Sequence, residues 1–492
     1  MSEILQRARD YELTHSARIP PEDRPAFHLT PRVGWMNDPN GFSVYQGQYH
    51  LFYQYHPYDT KWGPMHWGHA VSGDLLHWTP LPAAIAPDMP YDSDGCFSGS
   101  AIELDDKRHL LMYTGVRREQ QPDGSYMEYQ TQCLAVGDGV NYVKYAGNPV
   151  LTGADLPEGF SIRDFRDPKL FRNSDGSFGC VVGNRSDDGS GAILLFTSPD
   201  GFRWEFSSIL DRSRNRLGRM WECPDYFSLD GRDVIVTSPQ ELCARGLEFH
   251  CGDCTMAILG RLTQGQIRRE AVQAIDYGLD FYAPQTLESP DGRRIMIGWM
   301  QSWDTVGGCP AGAKWFGQMT TPRELAIREG RLIQNPVREL ASCRRNPVLH
   351  RDVPVHDEVS FKDVRGRMID MTVTIRPWNE KGFSLFQIRF AKDEQYHTSL
   401  LYRPEECSLL LSRTHAGFTR DYVHQRECRV WPRNGELKLR ILLDRFSAEI
   451  FVNDGEQAMT TTFYTPLSAE EITFRCSGRA LVTIEKYDIV MD

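Results

Sequence analysis

Short apolar runs separated by polar turns recur over the first two thirds of the chain. Examples are YHLFYQY (49–55), HLLMYTG (109–115), AILLFTS (192–198) and DVIVTS (233–238), each followed or preceded by Gly, Pro, Asn or Asp. Runs of this length, rich in branched and aromatic residues, are typical of strands joined by turns. Long segments with a helical period are scarce, so the pattern predicts an all-β protein.

A repeat of turn sequences indicates how these strands are organised. SGDLLHW (72–78), VGDGVNY (136–142) and SPDGFRW (198–204) each place an Asp four residues before an aromatic residue, and these Asp residues are 64 and 62 positions apart. Four short strands with their connections fill about 60 residues, which is one blade of a β-propeller. Residues 25–340 therefore have room for five blades. A pair of β-sandwiches with accidental spacing is the alternative.

The pattern changes after residue 340. LIQNPVRELASCRRNPV (332–348) is typical of a helical or irregular linker, whereas MTVTI (371–375) and ELKLRILL (436–443) alternate strictly. AEIFVNDGEQAMTTTF (448–463) predicts a hairpin that turns at Asn453-Asp454-Gly455. We therefore expect a second, antiparallel domain, a β-sandwich that packs against the first. Sugar binding by this domain is an alternative role.

These patterns give a complete division of the chain. We expect an N-terminal extension, a five-bladed β-propeller, a linker and a C-terminal β-sandwich, with the bounds 1–24, 25–340, 341–354 and 355–492.

Composition and charge exclude several classes of partner. The chain has 492 residues, 25% of them charged, and a formal net charge of -11. Acidic and basic residues are interspersed, which argues against nucleic acid as a partner. No run of eighteen apolar residues exists to cross a membrane. The charged N-terminal segment lacks the apolar stretch of a secretory signal, so we expect a cytoplasmic location.

Cysteine usage agrees with that expectation. Twelve cysteines are scattered between Cys96 and Cys476 without the dense spacing of a disulfide scaffold, so reduced thiols are expected. HCGDC (250–254) contains a CxxC motif, for which zinc or redox chemistry is the alternative. It has no second CxxC at finger spacing, and we predict neither a metal nor a cofactor.

Three segments share one unusual feature, an acid beside a proline in apolar surroundings. They are WMNDPNGF (35–42), DFRDPKLF (164–171) and MWECPDYF (220–227), and DFYAPQTL (280–287) keeps the proline with its acid displaced. Taken singly, each acid is typical of a capped turn or a surface ion pair. Because the innermost strands of all blades line the propeller axis, Asp38, Asp167 and Glu222 are predicted to meet in one pocket.

Crowding three buried carboxylates requires hydrogen bonds, a cation or a retained proton. Arg166, beside Asp167, is the candidate cation. A group of acids in which one member keeps its proton near neutral pH suits a glycosidase, which uses one carboxyl as general acid and another as nucleophile.

The same blocks resemble a known family. WMNDPNG, FSGS (97–100), FRDP (165–168), WECPD (221–225) and DFYA (280–283) closely resemble the signature blocks of glycoside hydrolase family 32, which contains invertases, β-fructofuranosidases and fructanases. LLDRFSAEIFVNDG (442–455) resembles the C-terminal sandwich of that family. The resemblance implies a five-bladed propeller joined to a sandwich, and cleavage of a fructosyl bond with retained anomeric configuration.

The resemblance also implies roles for single residues. Asp38 would be the nucleophile, Glu222 the general acid and base, and Asp167 the acid that grips fructose hydroxyls. A retaining mechanism predicts that the carboxyl groups of Asp38 and Glu222 lie about 5 Å apart. Further residues are expected to form the substrate pocket: Asn37, Gln54, Trp62, Phe97, Ser98, Arg166, Asp280, Tyr282 and Trp299.

The exact substrate stays open at this point. Sucrose, sucrose 6-phosphate and short fructo-oligosaccharides are the candidates, and fructan hydrolysis, fructosyl transfer or sugar binding without catalysis are the alternatives. A phosphate would require a cation on the glucose side, for which Arg117, Arg118 and Lys314 are available. The sequence does not predict an oligomeric state.

Overall fold

Five antiparallel sheets surround a central axis in the computed structural model, which describes residues 1–418 and 423–491. The strands of the first two sheets are β1 Gly34–Tyr45, β2 Gln48–His56, β3 His66–Ser72, β4 Thr79–Ile85, β5 Gly95–Glu103, β6 His109–Gln120, β7 Tyr126–Gly137 and β8 Tyr142–Lys144. The third sheet contains β9 Arg166–Arg172, β10 Phe178–Arg185, β11 Gly191–Ser198 and β12 Glu205–Arg212.

The fourth and fifth sheets complete the ring. Their strands are β13 Met220–Leu229, β14 Arg232–Gln240, β15 Met256–Thr263, β16 Gln266–Ala274, β17 Tyr282–Glu288, β18 Arg294–Trp299, β20 Arg323–Arg328 and β21 Arg331–Pro336. The innermost strands β1, β5, β9, β13 and β17 contact one another in that order around the axis. A two-residue strand, β19 Trp315–Phe316, pairs in parallel with the start of β1. The predicted all-β class and five-bladed β-propeller are confirmed.

The Asp–aromatic repeat is the turn between the third and fourth strands of the first three blades. Asp74 accepts hydrogen bonds from the amides of Leu76 and His77, and Asp200 accepts from the amides two and three residues after it. In both turns the Asp carboxylate therefore satisfies two backbone amides of the turn. The fourth and fifth blades use tight turns at 264–265 and 329–330, where both residues have positive φ, so the repeat stops there.

The second domain is a sandwich whose two sheets share two long strands. Its strands are β22 Arg344–Arg365, β23 Ile369–Pro377, β24 Phe383–Lys392, β25 His397–Arg403, β26 Ser408–His415, β27 Gln425–Arg429, β28 Leu437–Asp444, β29 Ser447–Val452, β30 Gln457–Thr462 and β31 Glu471–Ile489. The first half of β31 pairs with β24 and its second half with β23, while β22 follows it along most of its length. The predicted hairpin turns at Asn453 and Asp454, both with positive φ.

The predicted N-terminal extension contains a helix, α1 Glu3–Ser16, that the hydrophobic pattern does not predict. Ser2 caps it by accepting a hydrogen bond from the amide of Leu5, and the helix packs on β4 of the first blade. Its buried face combines Leu5 and Ala8 with the acid Glu12, which accepts from the amide of Ala83. Because a charged residue interrupts the apolar stripe, the helical period is weak in the sequence.

The segment predicted as a linker, residues 341–354, is mostly regular. A 3-10 helix, Arg338–Cys343, leads directly into β22. Most side chains of β22 are exposed, so its polar sequence lacks the apolar alternation that identifies a strand. The remaining 3-10 helices are Pro21–Asp23, Gly153–Asp155 and Val306–Gly308. Among the described residues, no helix has the length and apolar character needed to cross a membrane.

A buried network of charges joins the two domains. His28 contacts Asp444 at 2.8 Å and Glu449 at 3.0 Å, and both acids belong to the sandwich. Arg323 of the propeller binds the other oxygen of Glu449 at 2.6 Å and Asp276 at 3.1 Å. All of these side chains are almost fully buried. The network fixes how the sandwich packs against the propeller.

Candidate active site

Each innermost strand contains a β-bulge at the same end of the propeller. The bulges lie between Met36 and Pro39, Phe97 and Gly99, Arg166 and Lys169, Glu222 and Asp225, and Tyr282 and Gln285. A bulge interrupts the ladder and redirects side chains, and proline fits there because it has no amide hydrogen to donate. The acid–proline segments of the sequence are therefore the bulges that line the pocket.

Three residues that directly precede a bulge proline have left-handed backbone conformations. Their φ angles are 66° at Asp167, 46° at Cys223 and 49° at Ala283. Such a conformation costs a non-glycine residue about 1–3 kcal/mol, so the surroundings must enforce it. Each amide donates to a side chain: Asp167 to Thr114 Oγ1 at 3.0 Å, Cys223 to Asp167 Oδ2 at 2.9 Å and Ala283 to Ser238 Oγ at 3.0 Å.

Asp38 is buried at the bottom of the pocket. Its Oδ2 accepts hydrogen bonds from Ser98 Oγ at 2.9 Å and from Cys223 Sγ at 3.5 Å. Burial and the negative charge of Glu222 raise the pKa of Asp38 to about 6, although hydrogen bonds from Asn37, Ser98 and Cys223 oppose that shift. Oδ1 has no hydrogen-bond partner among the described residues. Burial and a neighbouring negative charge thus make the charged form of Asp38 costly for the fold.

Glu222 is held by a cation and a phenol. Arg166 donates to its Oε1 through Nε at 3.0 Å and Nη2 at 2.8 Å. Tyr282 donates from its hydroxyl to Oε2 at 2.6 Å. Three donors fix both oxygens of this carboxyl group, so its orientation is set before any substrate binds.

Asp167 links the other two acids. Its Oδ2 lies 3.9 Å from Arg166 Nε and accepts from the amide of Cys223. Burial raises the pKa of Asp167 to about 7, with Arg166 opposing the shift and Glu222 adding to it. Asp38, Asp167 and Glu222 come from three different blades, and the structure brings them together as the sequence predicts.

The predicted pocket residues fall into two layers. Trp62 is 41% exposed and packs its ring 5.9 Å from that of Phe97, so these two side chains border the open side. Gln54 is buried and donates to the carbonyl of Cys96. Trp299 is fully buried, 5.8 Å from the ring of Trp35. Gln54 and Trp299 therefore support the wall behind the open side.

The prediction that Asp280 forms part of the substrate pocket is wrong. Its Oδ2 contacts Arg413 of the sandwich at 2.6 Å and accepts from the amide of Thr462 at 2.6 Å, while Oδ1 accepts from Thr305. The residue is fully buried. Both oxygens are used to join the two domains, since Asp280 precedes β17 and lies outside the bulge that faces the axis.

Polar residues of the second blade that are outside the predicted set support the acids. Thr114 Oγ1 accepts from the amide of Asp167 and contacts Gln132 Oε1 at 2.9 Å, and Gln132 donates to the carbonyl of Phe165 at 2.7 Å. Arg166 Nη1 donates to Gln130 Oε1 at 3.4 Å. Two glutamines at alternating positions of a largely buried strand, Gln130 and Gln132, are the sequence signal that could have identified these supporting residues. Cys223 is also absent from the predicted set.

The arrangement combines several features of a site for acid and base chemistry. Two buried carboxyl groups have raised pKa values, and a third is fixed by Arg166 and Tyr282. Within the described part of the chain, no three His, Cys, Asp or Glu side chains are grouped to hold a metal ion. The carboxyl groups of Asp38, Asp167 and Glu222 are the titratable groups that the three blades contribute to this pocket.

Comparisons with known proteins agree with this geometry. Residues 28–336 match the model of the Glycosyl hydrolases family 32 N-terminal domain, and residues 339–489 match that of the Glycosyl hydrolases family 32 C terminal. A raffinose invertase of Escherichia coli is 37% identical over 470 residues, or 93% of each chain. A sucrose-6-phosphate hydrolase of Zymomonas mobilis is 38% identical over 447 residues, which cover 88% of this chain and 84% of that protein.

Solved structures give the same result for the fold. A family 32 β-fructofuranosidase of Bombyx mori superposes with a TM-score of 0.83 at 32% identity, covering 98% of this chain and 97% of that chain. A variant of the Bombyx mori protein, solved in complex with sucrose, superposes with the same TM-score of 0.83.

Proposed function

The chain belongs to glycoside hydrolase family 32, and we propose that it is a retaining β-fructofuranosidase that cleaves the fructosyl bond of sucrose through a covalent fructosyl-enzyme. Its family and relatives such as the raffinose invertase make it a glycoside hydrolase of the β-fructofuranosidase type. The convergence of three acids from three blades around Arg166 supports the proposed mechanism.

In the first step, Asp38 attacks the anomeric carbon of the fructosyl unit. Its carboxylate is buried, has an oxygen without a hydrogen-bond partner among the described residues and is ionised above pH 6. Glu222 donates a proton to the glycosidic oxygen as that bond breaks, so the glucose part leaves as an alcohol. Arg166 and Tyr282 hold the carboxyl group of Glu222 in the orientation that this transfer requires.

In the second step, Glu222 acts as a base. It takes a proton from a water molecule, which attacks the anomeric carbon and releases Asp38. Two successive displacements return the original configuration, so β-fructose is the first product. Asp167 binds fructose hydroxyls and stabilises the positive charge that develops on the ring in both steps.

Among the candidate substrates, the charges around the pocket favour sucrose over sucrose 6-phosphate. Register places Gly95 opposite Val116, so Arg117 and Arg118 extend beyond the pocket end of β5. Arg117 is paired with Glu119, and Arg118 contacts Glu128 at 2.8 Å. Both cations already pair with acids, so a phosphate would have to displace a carboxylate from either of them. The exposed Lys314 is the remaining candidate of the three.

Parallel measurement of kcat/KM for sucrose and sucrose 6-phosphate tests this choice, with Glu222→Gln as the blank. We expect equal or better use of plain sucrose. A preference of about a hundredfold for the phosphorylated sugar, equivalent to about 2.7 kcal/mol, would require a dedicated phosphate site and would contradict the choice. Transfer to a second sugar is measured in the same reaction as oligosaccharide products.

The pH profile tests the ionisation of Asp38. An acid must be charged to attack, so kcat/KM should fall as the pH drops through the pKa of Asp38, about 6. Ser98→Ala removes a hydrogen bond that stabilises the charged form. We expect this variant to shift the acid side of the profile upward by roughly half a pH unit to one unit. An unchanged apparent pKa on the acid side of the Ser98→Ala profile would contradict the assignment of that ionisation to Asp38.

A further inference from the structure

A hairpin in the fourth blade places two exposed cysteines opposite each other. It follows β14 and precedes β15, and Leu242 and Gly252 exchange both backbone hydrogen bonds at 3.0 Å. Arg245 and Phe249 form a second bridge nearer the tip. Two residues separate the bridges on each arm, so the register places Cys243, next to Leu242, opposite Cys251, next to Gly252.

This register is compatible with a disulfide. Both bridges are hydrogen-bonded although they lie three residues apart, so the ladder between them is irregular. Directly opposite residues of an antiparallel pair have Cα atoms about 4.5–5.5 Å apart. Disulfides need Cα separations of about 4.4–6.8 Å. Both cysteines are free thiols and exposed, so a small reagent reaches either sulfur.

The CxxC motif would pair Cys251 with Cys254, but Cys254 is poorly suited to thiol exchange. Cys254, its second cysteine, is buried, and burial raises the pKa of that thiol to about 12. A buried thiol with a raised pKa is a poor nucleophile. Cys254 is therefore the poorer candidate for pairing with Cys251.

The hairpin is anchored next to the active site. Glu248 accepts from the amide of Ala274 and from the hydroxyl of Tyr277, both at 2.9 Å. Gly252 lies against Asp304, where an added Cβ atom would be 2.5 Å from Oδ2. Asp253 follows, and burial together with the charges of Asp304 and Glu222 raises its pKa to about 7. The hairpin begins directly after Gln240, and β14 pairs Ser238 with Glu222, so its base lies at the pocket end of the fourth blade.

We propose that Cys243 and Cys251 form a redox-active dithiol, which low-molecular-weight disulfides oxidise to a disulfide across the hairpin. One thiolate attacks a sulfur of the reagent, forms a mixed disulfide and releases one thiol. The second cysteine then attacks the protein sulfur of that mixed disulfide and releases the second thiol. Two electrons and two protons pass from the cysteine pair to the two released thiols. This site is independent of fructosyl chemistry.

Peptide mapping of the full-length protein after treatment with oxidised glutathione tests the proposal. Trypsin cleavage after Arg245 separates the two cysteines into the peptides 233–245 and 246–261. We expect these peptides to be joined in the oxidised protein and separate after reduction. A further cleavage before Asp253 distinguishes a bond to Cys251 from a bond to Cys254.

Single variants distinguish pairing from simple exposure. Cys243→Ser and Cys251→Ser should each accumulate one stable glutathione adduct on the remaining hairpin cysteine, because no second thiol resolves it. Cys407→Ser, which changes a partly buried cysteine of the sandwich, should form the cross-link as the wild type does. Glutathione adducts on both hairpin cysteines of the wild type without a cross-link, or a Cys251–Cys254 bond, would overturn the proposal.

Discussion

Replacing Glu222 by glutamine is expected to lower kcat for sucrose by roughly 10²–10⁴-fold, because the amide neither donates the proton to the leaving group nor activates water. Asp38→Ala removes the nucleophile and should lower kcat by several orders of magnitude. Asp167→Asn should also lower kcat, since it weakens a contact that strengthens in the transition state. Steady-state rates with sucrose measure all three.

These losses must be separated from unfolding. The raised pKa of Asp38 means that its charged form costs folding free energy above pH 6. Asp38→Asn should therefore be at least as stable as the wild type at pH 8, in a thermal melt. Glu205→Gln, an exposed change on the outermost strand of the third blade, is the matched control and should keep full activity. If Asp38→Ala or Glu222→Gln kept a tenth of the wild-type turnover, the assigned roles would be wrong.

The second large effect concerns the contact between the domains. Replacing His28 by glutamine leaves Asp444 and Glu449 buried with a weaker partner, and breaking such a pair costs about 3–5 kcal/mol. His77→Gln is the matched control. The ring of His77 lies 2.6 Å from Asp74, but both side chains are more than 40% exposed, and exposed pairs contribute about 0–1 kcal/mol. Thermal melts should show a large loss of Tm for His28→Gln and a small one for His77→Gln.

The effect of His28→Gln depends on pH in a defined direction. Burial disfavours the charged ring, but hydrogen bonds to Asp444 and Glu449 outweigh burial and raise the pKa of His28 to about 9, from 6.5. A group with a raised pKa stabilises the fold fully below pH 6.5, and that stabilisation is lost as the pH rises through 9. The difference in Tm between wild type and His28→Gln should shrink between pH 6.5 and 10. A difference that stayed constant over this range would show that the charge of His28 is unimportant.

The sequence predicts the pocket better than it predicts the domain contact. Asp38, Asp167 and Glu222 each lie one or two residues before a proline, because these segments form β-bulges in which proline is tolerated. This local pattern is visible in the sequence. Asp280 has a similar context, yet its partner Arg413 is far away in sequence and belongs to the other domain. No local pattern shows whether an acid at such a strand end faces the pocket or the other domain.

The features that the sequence does not predict depend on tertiary contacts. The helix α1 buries Glu12 against the amide of Ala83, so its apolar stripe is incomplete. Cys223 has a left-handed backbone and contacts Asp38, which nothing in WECPD indicates. Thr114 and Gln132 act from a neighbouring blade. Long-range placement of this kind comes from the closed ring of blades and not from any single segment.

The most direct test of the mechanism is to trap the covalent intermediate. Glu222→Gln should slow the second step, in which water is activated, and an activated fructoside with a good leaving group bypasses the need for the acid in the first. After acid quenching and proteolysis, mass spectrometry should find one fructosyl unit on the peptide that contains Asp38. No adduct on any peptide, or an adduct on the peptide that contains Asp167, would contradict the assignment of Asp38 as the nucleophile.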